Sequence, residues 1–194
     1  MRKAEIRRKT KETEIYIKLN LDNSGNISVT SPIGFFNHML ETFARHGRFN
    51  LVARLKGDIN VDQHHLVEDT GYCLGMVFNK ALGDKKNIER AGFFVHPMDE
   101  ALAMVAIDIS GRPLLKFSGR FKNNKVGDFN ADLVYDFFSG FVNGCLCTMH
   151  IQIISGRSEH HKMEALFKAF ARAMNQACRI DKKTKGIPST KGVL

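Results

Sequence analysis

The chain has 194 residues, a formal net charge of +9 and 43% hydrophobic residues. Such a chain can bury a core of its own, which excludes an intrinsically disordered protein. It contains no apolar run near the roughly 18 residues that span a bilayer. The basic start MRKAEIRRKT is not followed by the apolar segment of a signal peptide. We therefore expect a cytoplasmic protein that does not bind a membrane.

The basic residues are concentrated at the two ends of the chain, in residues 1–20 and 179–194. This distribution favours an anionic partner, which could be a nucleic acid, a membrane surface or a small phosphate ester, although a solvated basic surface would look the same. The cysteines form no CxxC pair, and we expect buried free thiols rather than a zinc ribbon or a redox site. They are Cys73, Cys145, Cys147 and Cys178.

The spacing of apolar residues predicts a mixture of strands and helices. Predicted strands are Glu14–Leu21, Ile27–Thr30, Asn50–Leu55, Ala101–Ile109, Leu114–Phe117 and Cys147–Ile154, the first two forming a hairpin through the turn at 22–26. Predicted helices are Phe35–Gly47 with Gly47 as C-cap, Gln63–Leu82 after a cap at Asp62, Ala131–Asn143, and Ser158–Cys178 capped by Ser158. The order strand, strand, helix, strand, helix therefore occurs twice, and the fold class is α+β.

Two of these helices carry the same motif. His64-His65-x-x-Glu68 recurs as His160-His161-x-x-Glu164, 96 residues further along the chain, which is about half of 194. Such a recurrence indicates an internal duplication with halves of about 1–93 and 94–194. One copy of HHxxE would be a weak signal, but two copies at this spacing favour metal binding over chance.

Helix geometry divides the four histidines into two kinds. Residues i and i+4 lie about 40° apart on one face, whereas i+1 is rotated by about 100°. His64 can therefore chelate one ion with Glu68, while His65 points elsewhere, and the second motif repeats the pattern. His38 and Asp136, each on the preceding helix, could add one further ligand per ion. Imidazole and carboxylate without thiolate fit Mn²⁺, Fe, Co or catalytic zinc, and we favour Mn²⁺.

Five segments together closely resemble the imidazoleglycerol-phosphate dehydratase family of histidine biosynthesis. They are GFFNHMLETFARHG, DQHHLVED, PMDEALAMVAIDISGRP, SEHHKMEALFKAFARA and GIPSTKG. The resemblance extends over nearly the whole chain and implies a hydro-lyase that converts D-erythro-imidazole glycerol phosphate to imidazole acetol phosphate. It also implies one domain over residues 1–194, built from two four-stranded sheets backed by helices as in ribosomal S5 domain 2.

The same resemblance implies a homo-oligomer of 24 subunits, with two Mn²⁺ in each active site and metal sites between neighbouring subunits. One ion takes His38, His65, His160 and Glu164, and the other takes His64, Glu68, His161 and the residue at 136. Position 136 is often His or Glu in the family, and here it is Asp136, whose side chain is shorter than that of Glu. Asn37 replaces the carboxylate that the family most often has beside His38.

The remaining implied contacts are with the substrate. They are made by the metal ligands other than Asp136, together with Glu12, His46, Arg90, Arg112, Lys168, Ser189, Thr190 and Lys191. Two metals on the ring nitrogens would stabilise an imidazolate and allow loss of a carbon-bound proton. Because Glu68 and Glu164 are ligands, Glu12 is the candidate acid/base. A helix-capping role would explain His46 equally well.

Two other functions compete with this interpretation. A basic RNA-binding module would interleave aromatic and basic residues, and neither end of the chain does so clearly. A dinuclear metallohydrolase of phosphate esters would have clusters richer in Asp than in His, which is the reverse of the pattern here. We therefore expect no nucleic-acid partner and a small phosphate ester as substrate.

Overall fold

A computed structural model of the protein describes residues 1–183 and 185–194. Its ten strands are β1 Lys3–Lys9, β2 Thr13–Asn20, β3 Ile27–Thr30, β4 Asn50–Gly57, β5 Ala91–Met98, β6 Ala101–Asp108, β7 Leu114–Ser118, β8 Lys125–Val126, β9 Phe129–Asn130 and β10 Thr148–Ser155. Its helices are α1 Gly34–Gly47, α2 His64–Leu82, α3 Leu133–Cys145 and α4 Glu159–Cys178. No helix in these residues is long and apolar enough to cross a membrane.

The two halves of the chain build the same sheet. The first sheet has the order β1-β2-β4-β3, and the second has β5-β6-β10-β7. In each sheet the first three strands of that order are antiparallel, and the last strand is parallel to its neighbour. The repeated unit is thus three strands, a helix, a strand and a helix, with the short β8–β9 pair added in the second half. The predicted α+β class with two four-stranded sheets is confirmed.

Each repeated unit has one strand more than the sequence analysis predicted, β1 in the first half and β5 in the second, and both lie at sheet edges. The two-residue strands β8 and β9 were not predicted either. The apolar alternation of β1 is short: Ala4 and Ile6 are partly buried, but the next inward position is Arg8 and the rest of KAEIRRK is charged. β5 contains Pro97, which normally argues against a strand. An edge strand tolerates Pro because the backbone groups on its outer side have no neighbouring strand with which to form hydrogen bonds.

Two local predictions were wrong. β3 does not form a hairpin with β2; it pairs in parallel with β4, so α1 serves as the crossover between them. The left-handed residue that ends α1 is Arg48, at φ 58°, rather than Gly47. Gly47 is needed for another reason, since a Cβ there would lie 2.4 Å from the ring of Phe49. By contrast Ser158 does cap α4, accepting a hydrogen bond from His161 N.

The helices form the interior between the two sheets. α1 and α2 cover the first sheet, α3 and α4 cover the second, and α1 packs on α4 as α2 packs on α3. Phenylalanines fill the centre, with the rings of Phe43 and Phe170 stacked at 4.5 Å and Phe141 edge-on to Phe170 at 4.9 Å. All four cysteines are buried and free, as predicted. The helices that carry the HHxxE motifs are therefore held by one continuous core.

Glycines bring the backbones of α2 and α3 into direct contact. A Cβ at Gly71 would lie 2.1 Å from Phe137 O, and one at Gly75 would lie 2.3 Å from Phe141 O. The contact is reciprocal, because a Cβ at Gly140 would meet Glu68 O at 2.4 Å and one at Gly144 would meet Tyr72 O at 2.1 Å. This close approach sets the distance between His64 on α2 and Asp136 on α3.

Replacing Gly144 with Ala is expected to destabilise the protein by about 3 kcal/mol, the upper end for overpacking, because backbone atoms cannot yield as a side chain does. Chemical denaturation measures the free energy of unfolding. Asn143→Ala is the matched control, since Asn143 is the exposed neighbour on the same helix. Equal stability of the two variants would contradict the close packing of α2 on α3.

Candidate metal centre

Three side chains from α1 and α4 converge on one point. His38 Nε2 lies 3.0 Å from Glu164 Oε1, and His160 Nε2 lies 3.2 Å from the same oxygen. The three ligand atoms all lie within 4.8 Å of one another. The i, i+4 spacing of His160 and Glu164 puts both on one face of α4, and the packing of α1 on α4 adds His38. Two imidazoles and a carboxylate suit a divalent transition metal.

The carboxylate of this cluster is kept ionised. Burial alone would raise the pKa of Glu164, but hydrogen bonds from Lys168 and His38 together with the charge of Lys168 outweigh it and lower the pKa to about 2. Lys168 Nζ donates to Oε2 at 2.6 Å, which leaves Oε1 facing the two histidines. Glu164 therefore offers a charged oxygen to an ion without any change of protonation.

A second group lies between α2 and α3. His64 Nε2 is 3.4 Å from Glu68 Oε2, and His64 Nδ1 is 3.6 Å from Asp136 Oδ2. The first contact is the i, i+4 pair expected from the motif. His64 meets the two carboxylates with different ring nitrogens, so these groups surround the imidazole instead of converging on one point. An ion bound here would use one ring nitrogen of His64 together with the carboxylate on that side.

The other histidine of each motif faces away from both groups. His65 Nδ1 is 3.2 Å from Asp58 Oδ1 and 4.0 Å from Glu12 Oε2. His161 Nδ1 is 2.7 Å from Glu100 Oε2. The hydrogen bond that His65 donates to Asp58 raises the pKa of His65, and the one that His161 donates to Glu100 raises the pKa of His161. Within the described residues of one chain, therefore, His65 does not lie with the first group, and His161 does not lie with the second.

A cationic cluster lies one helical turn beyond the first group. Lys168 follows Glu164 on α4, and the ring of His46 on α1 is 5.9 Å from that of His96 on β5. Burial and then the charge of Lys168 lower the pKa of both imidazoles. The sequence analysis missed His96 and Arg172, whose Nδ1 and Nε atoms are buried without a hydrogen-bond partner in the described residues. Strand alternation of Phe94, His96 and Met98 is the signal that could have placed His96 beside α4.

The remaining predicted substrate residues lie at the other end of α4. Arg90 pairs with Asp108 at 2.6 Å and donates to Pro188 O at 2.9 Å, which ties the C-terminal segment to β6. Ser189, Thr190 and Lys191 follow in that segment, and a Cβ at Gly111, the neighbour of Arg112, would meet Leu194. Since Arg90 N bonds to Ala177 O, about 20 Å of helix separates this group from Glu164.

Comparison with known proteins agrees with this geometry. Residues 31–174 match the family model described as imidazoleglycerol-phosphate dehydratase. The chain belongs to this family. Among curated relatives, the imidazoleglycerol-phosphate dehydratases of Koribacter versatilis and Thermoanaerobacter pseudethanolicus are 52% and 50% identical to it, each over 100% of both chains. The prediction of a hydro-lyase of histidine biosynthesis is thereby confirmed.

Solved structures of the dehydratase family share the fold. The Staphylococcus aureus enzyme superposes with a TM-score of 0.82 at 36% identity, covering 92% of this chain and 98% of that one. A Pyrococcus furiosus family member, solved in complex with (S)-C348, gives a TM-score of 0.85 at 32% identity over 97% and 100% of the two chains.

Asn37 stands beside His38, at the position where the family most often has a carboxylate. Its side-chain amide donates a hydrogen bond to Ser31 O, which stabilises the start of α1.

Proposed function

We propose that this dehydratase removes water from D-erythro-imidazole glycerol phosphate at a site that holds two Mn²⁺ ions. The observation that carries the proposal is the convergence of His38, His160 and Glu164 on one point. Two imidazoles and one charged carboxylate fit a divalent ion with open positions for substrate. The cluster contains more imidazole than carboxylate, which disfavours a phosphoesterase.

The two ions would be held by complementary ligand sets. His38, His160 and Glu164 would bind the first ion and His64, Glu68 and Asp136 the second. Neither His65 nor His161 would bind an ion held by its own chain. His65 would complete the first ligand set of a neighbouring subunit, and His161 would complete the second. When bound, the ions supply Lewis-acid polarisation of the substrate's imidazole ring. Other divalent transition metals could occupy the same donors.

This division of ligands supports a homo-oligomer with its metal sites between subunits, and we propose the 24-subunit cage. The phosphate contacts support the same conclusion. Lys168 and His46 lie beside the first ligand set, whereas Arg90, Arg112, Ser189, Thr190 and Lys191 lie about 20 Å away along α4. One small substrate cannot reach both groups in one chain, so a second chain would supply the Arg90 group.

The reaction also needs a proton carrier, and we assign that role to Glu12. Its carboxylate lies 4.0 Å from His65 Nδ1 and its side chain is 55% exposed, so it is free to reach a substrate bound nearby. Glu68 and Glu164 would serve as metal ligands in this proposal, so neither is available to carry the proton. In this assignment Lys168, Arg90 and Arg112 hold the phosphate, and His46 lies beside Lys168. Residues 1–194 act as one domain. Buried reduced thiols accord with a cytoplasmic location.

Removal of metal tests the proposal directly. After treatment with a chelator, turnover of imidazole glycerol phosphate should fall to background, and Mn²⁺ should restore it. Because each ion would join two chains, chelation should also reduce the particle size measured by light scattering. Mg²⁺ is the control cation, since it binds imidazole poorly and should restore little activity. Full turnover by protein proven free of metal would refute the two-ion site.

A further inference from the structure

We propose that Glu100 and Asp58 are positioning residues for the two single histidines of the HHxxE motifs. Each carboxylate holds Nδ1 of its histidine, so that Nε2 points outward to a metal ion. The inference rests on the two-ion function proposed above. Neither carboxylate belongs to either motif or to the ligand sets.

Glu100 is itself firmly held. Its Oε1 accepts hydrogen bonds from Ser158 N at 2.7 Å and from Arg157 N at 3.1 Å, at the residues that lead into α4. Its Oε2 lies 2.7 Å from His161 Nδ1. Both oxygens are therefore in use, and the carboxylate joins the β5–β6 turn to the start of α4. The imidazole of His161 is fixed relative to this junction.

Asp58 repeats the device in the first half of the chain. It follows β4 directly, and its Oδ1 and Oδ2 lie 3.2 and 3.4 Å from His65 Nδ1. Its backbone N–H donates to Glu12 O at 3.0 Å, which fixes the loop. The two carboxylates come from different places in the repeated unit, yet both bond the same nitrogen of the second histidine in the motif.

The choice of nitrogen determines what each histidine can bind. A carboxylate only accepts hydrogen bonds, so Nδ1 carries the hydrogen and Nε2 keeps its lone pair. Histidines that bind metals usually have their other nitrogen held in this way, which fixes both the tautomer and the ring orientation. His65 and His161 need it most. Asp69, at i+4 from His65, is engaged by Arg8 and Thr13, and Ala165, at i+4 from His161, offers no ligand atom.

Glu100→Gln tests the tautomer argument. The single amide oxygen would stay with the two backbone N–H groups, which places the amide NH₂ against His161 Nδ1 and forces the hydrogen onto Nε2. Titration of metal-free protein with Mn²⁺, followed by the EPR signal of the free ion, should show affinity about 10–100-fold weaker at one of two sites per chain. Glu14→Gln, which removes a carboxylate charge from an exposed position on β2, is the control and should bind as wild type.

Asp58 provides an independent test. Glu100 also accepts hydrogen bonds from the backbone at the start of α4, whereas the side-chain hydrogen bonds of Asp58 in the described residues are with His65. Asp58→Ala should weaken one site by a similar factor, whereas Asp58→Asn, whose amide oxygen can still accept from Nδ1–H, should recover much of the affinity. Wild-type affinity in folded Glu100→Gln and Asp58→Ala proteins would overturn the positioning role. If wild-type protein itself bound no Mn²⁺, the proposed function would fail instead.

Discussion

Replacing Glu164 with Gln is expected to abolish turnover of imidazole glycerol phosphate. The substitution removes the only negative charge in the cluster with His38 and His160, and it deprives Lys168 of its partner at 2.6 Å. Loss of the groups that hydrogen-bond to metal ligands already weakens metal binding by about 10–100-fold, so altering a ligand itself should weaken it by more than about 100-fold. Mn²⁺ titration and steady-state kinetics measure the two effects separately.

Two further variants make this prediction specific. Glu14→Gln removes the same charge from an exposed position on β2 and should leave metal binding and turnover unchanged. Glu68→Gln alters the second ligand set at a side chain that is 51% exposed, so it should lower the metal content without affecting folding. Wild-type metal content and turnover in a folded Glu164→Gln protein would exclude the cluster as a metal centre.

Replacing Glu12 with Gln is expected to lower kcat by about 10²–10⁴-fold, the usual contribution of a general acid or base. Metal content and KM should change little, because Glu12 belongs to neither ligand set and its side chain is half-exposed. Inductively coupled plasma analysis of the purified variant gives the metal content, and initial rates give kcat and KM.

Glu14→Gln is the matched control here as well, since Glu14 lies only two residues beyond Glu12, on β2, and is exposed. A fall in metal content together with activity would mean that Glu12 acts through His65, its neighbour at 4.0 Å, and not on the substrate. Full turnover with metal bound would remove Glu12 from the role of proton carrier.

The sequence was sufficient for the elements that carry strong periodicity. Helices α2 and α4 were predicted to within one residue at each end, because their apolar stripes are long and each has a side-chain acceptor at its start, Asp62 and Ser158. The i, i+4 pairing of each HHxxE motif also followed from the helical repeat alone, and the observed contacts of His64 with Glu68 and His160 with Glu164 agree with it.

The edge strands and the order of strands in each sheet could not be predicted from local sequence patterns. β1 and β5 are stabilised by pairing with β2 and β6, which lie further along the chain, and neither has a pattern that distinguishes it from a loop. The parallel pairing of β3 with β4 depends on how α1 packs over the sheet. A hairpin and a crossover begin with the same turn residues, so sequence could not separate them.

The sequence by itself predicted which side chains could bind a metal, because two motifs carry imidazole and carboxylate at helical spacing. Only the tertiary structure decided which ligands meet. Packing of α1 on α4 brings His38 to His160 and Glu164, and the glycine contact between α2 and α3 brings Asp136 to His64. The structure also places Asp58 and Glu100 behind His65 and His161. Apart from the contact between Asp58 and His65, which are 7 residues apart, these contacts join residues far apart in the chain, and burial of a shared core fixes such distances.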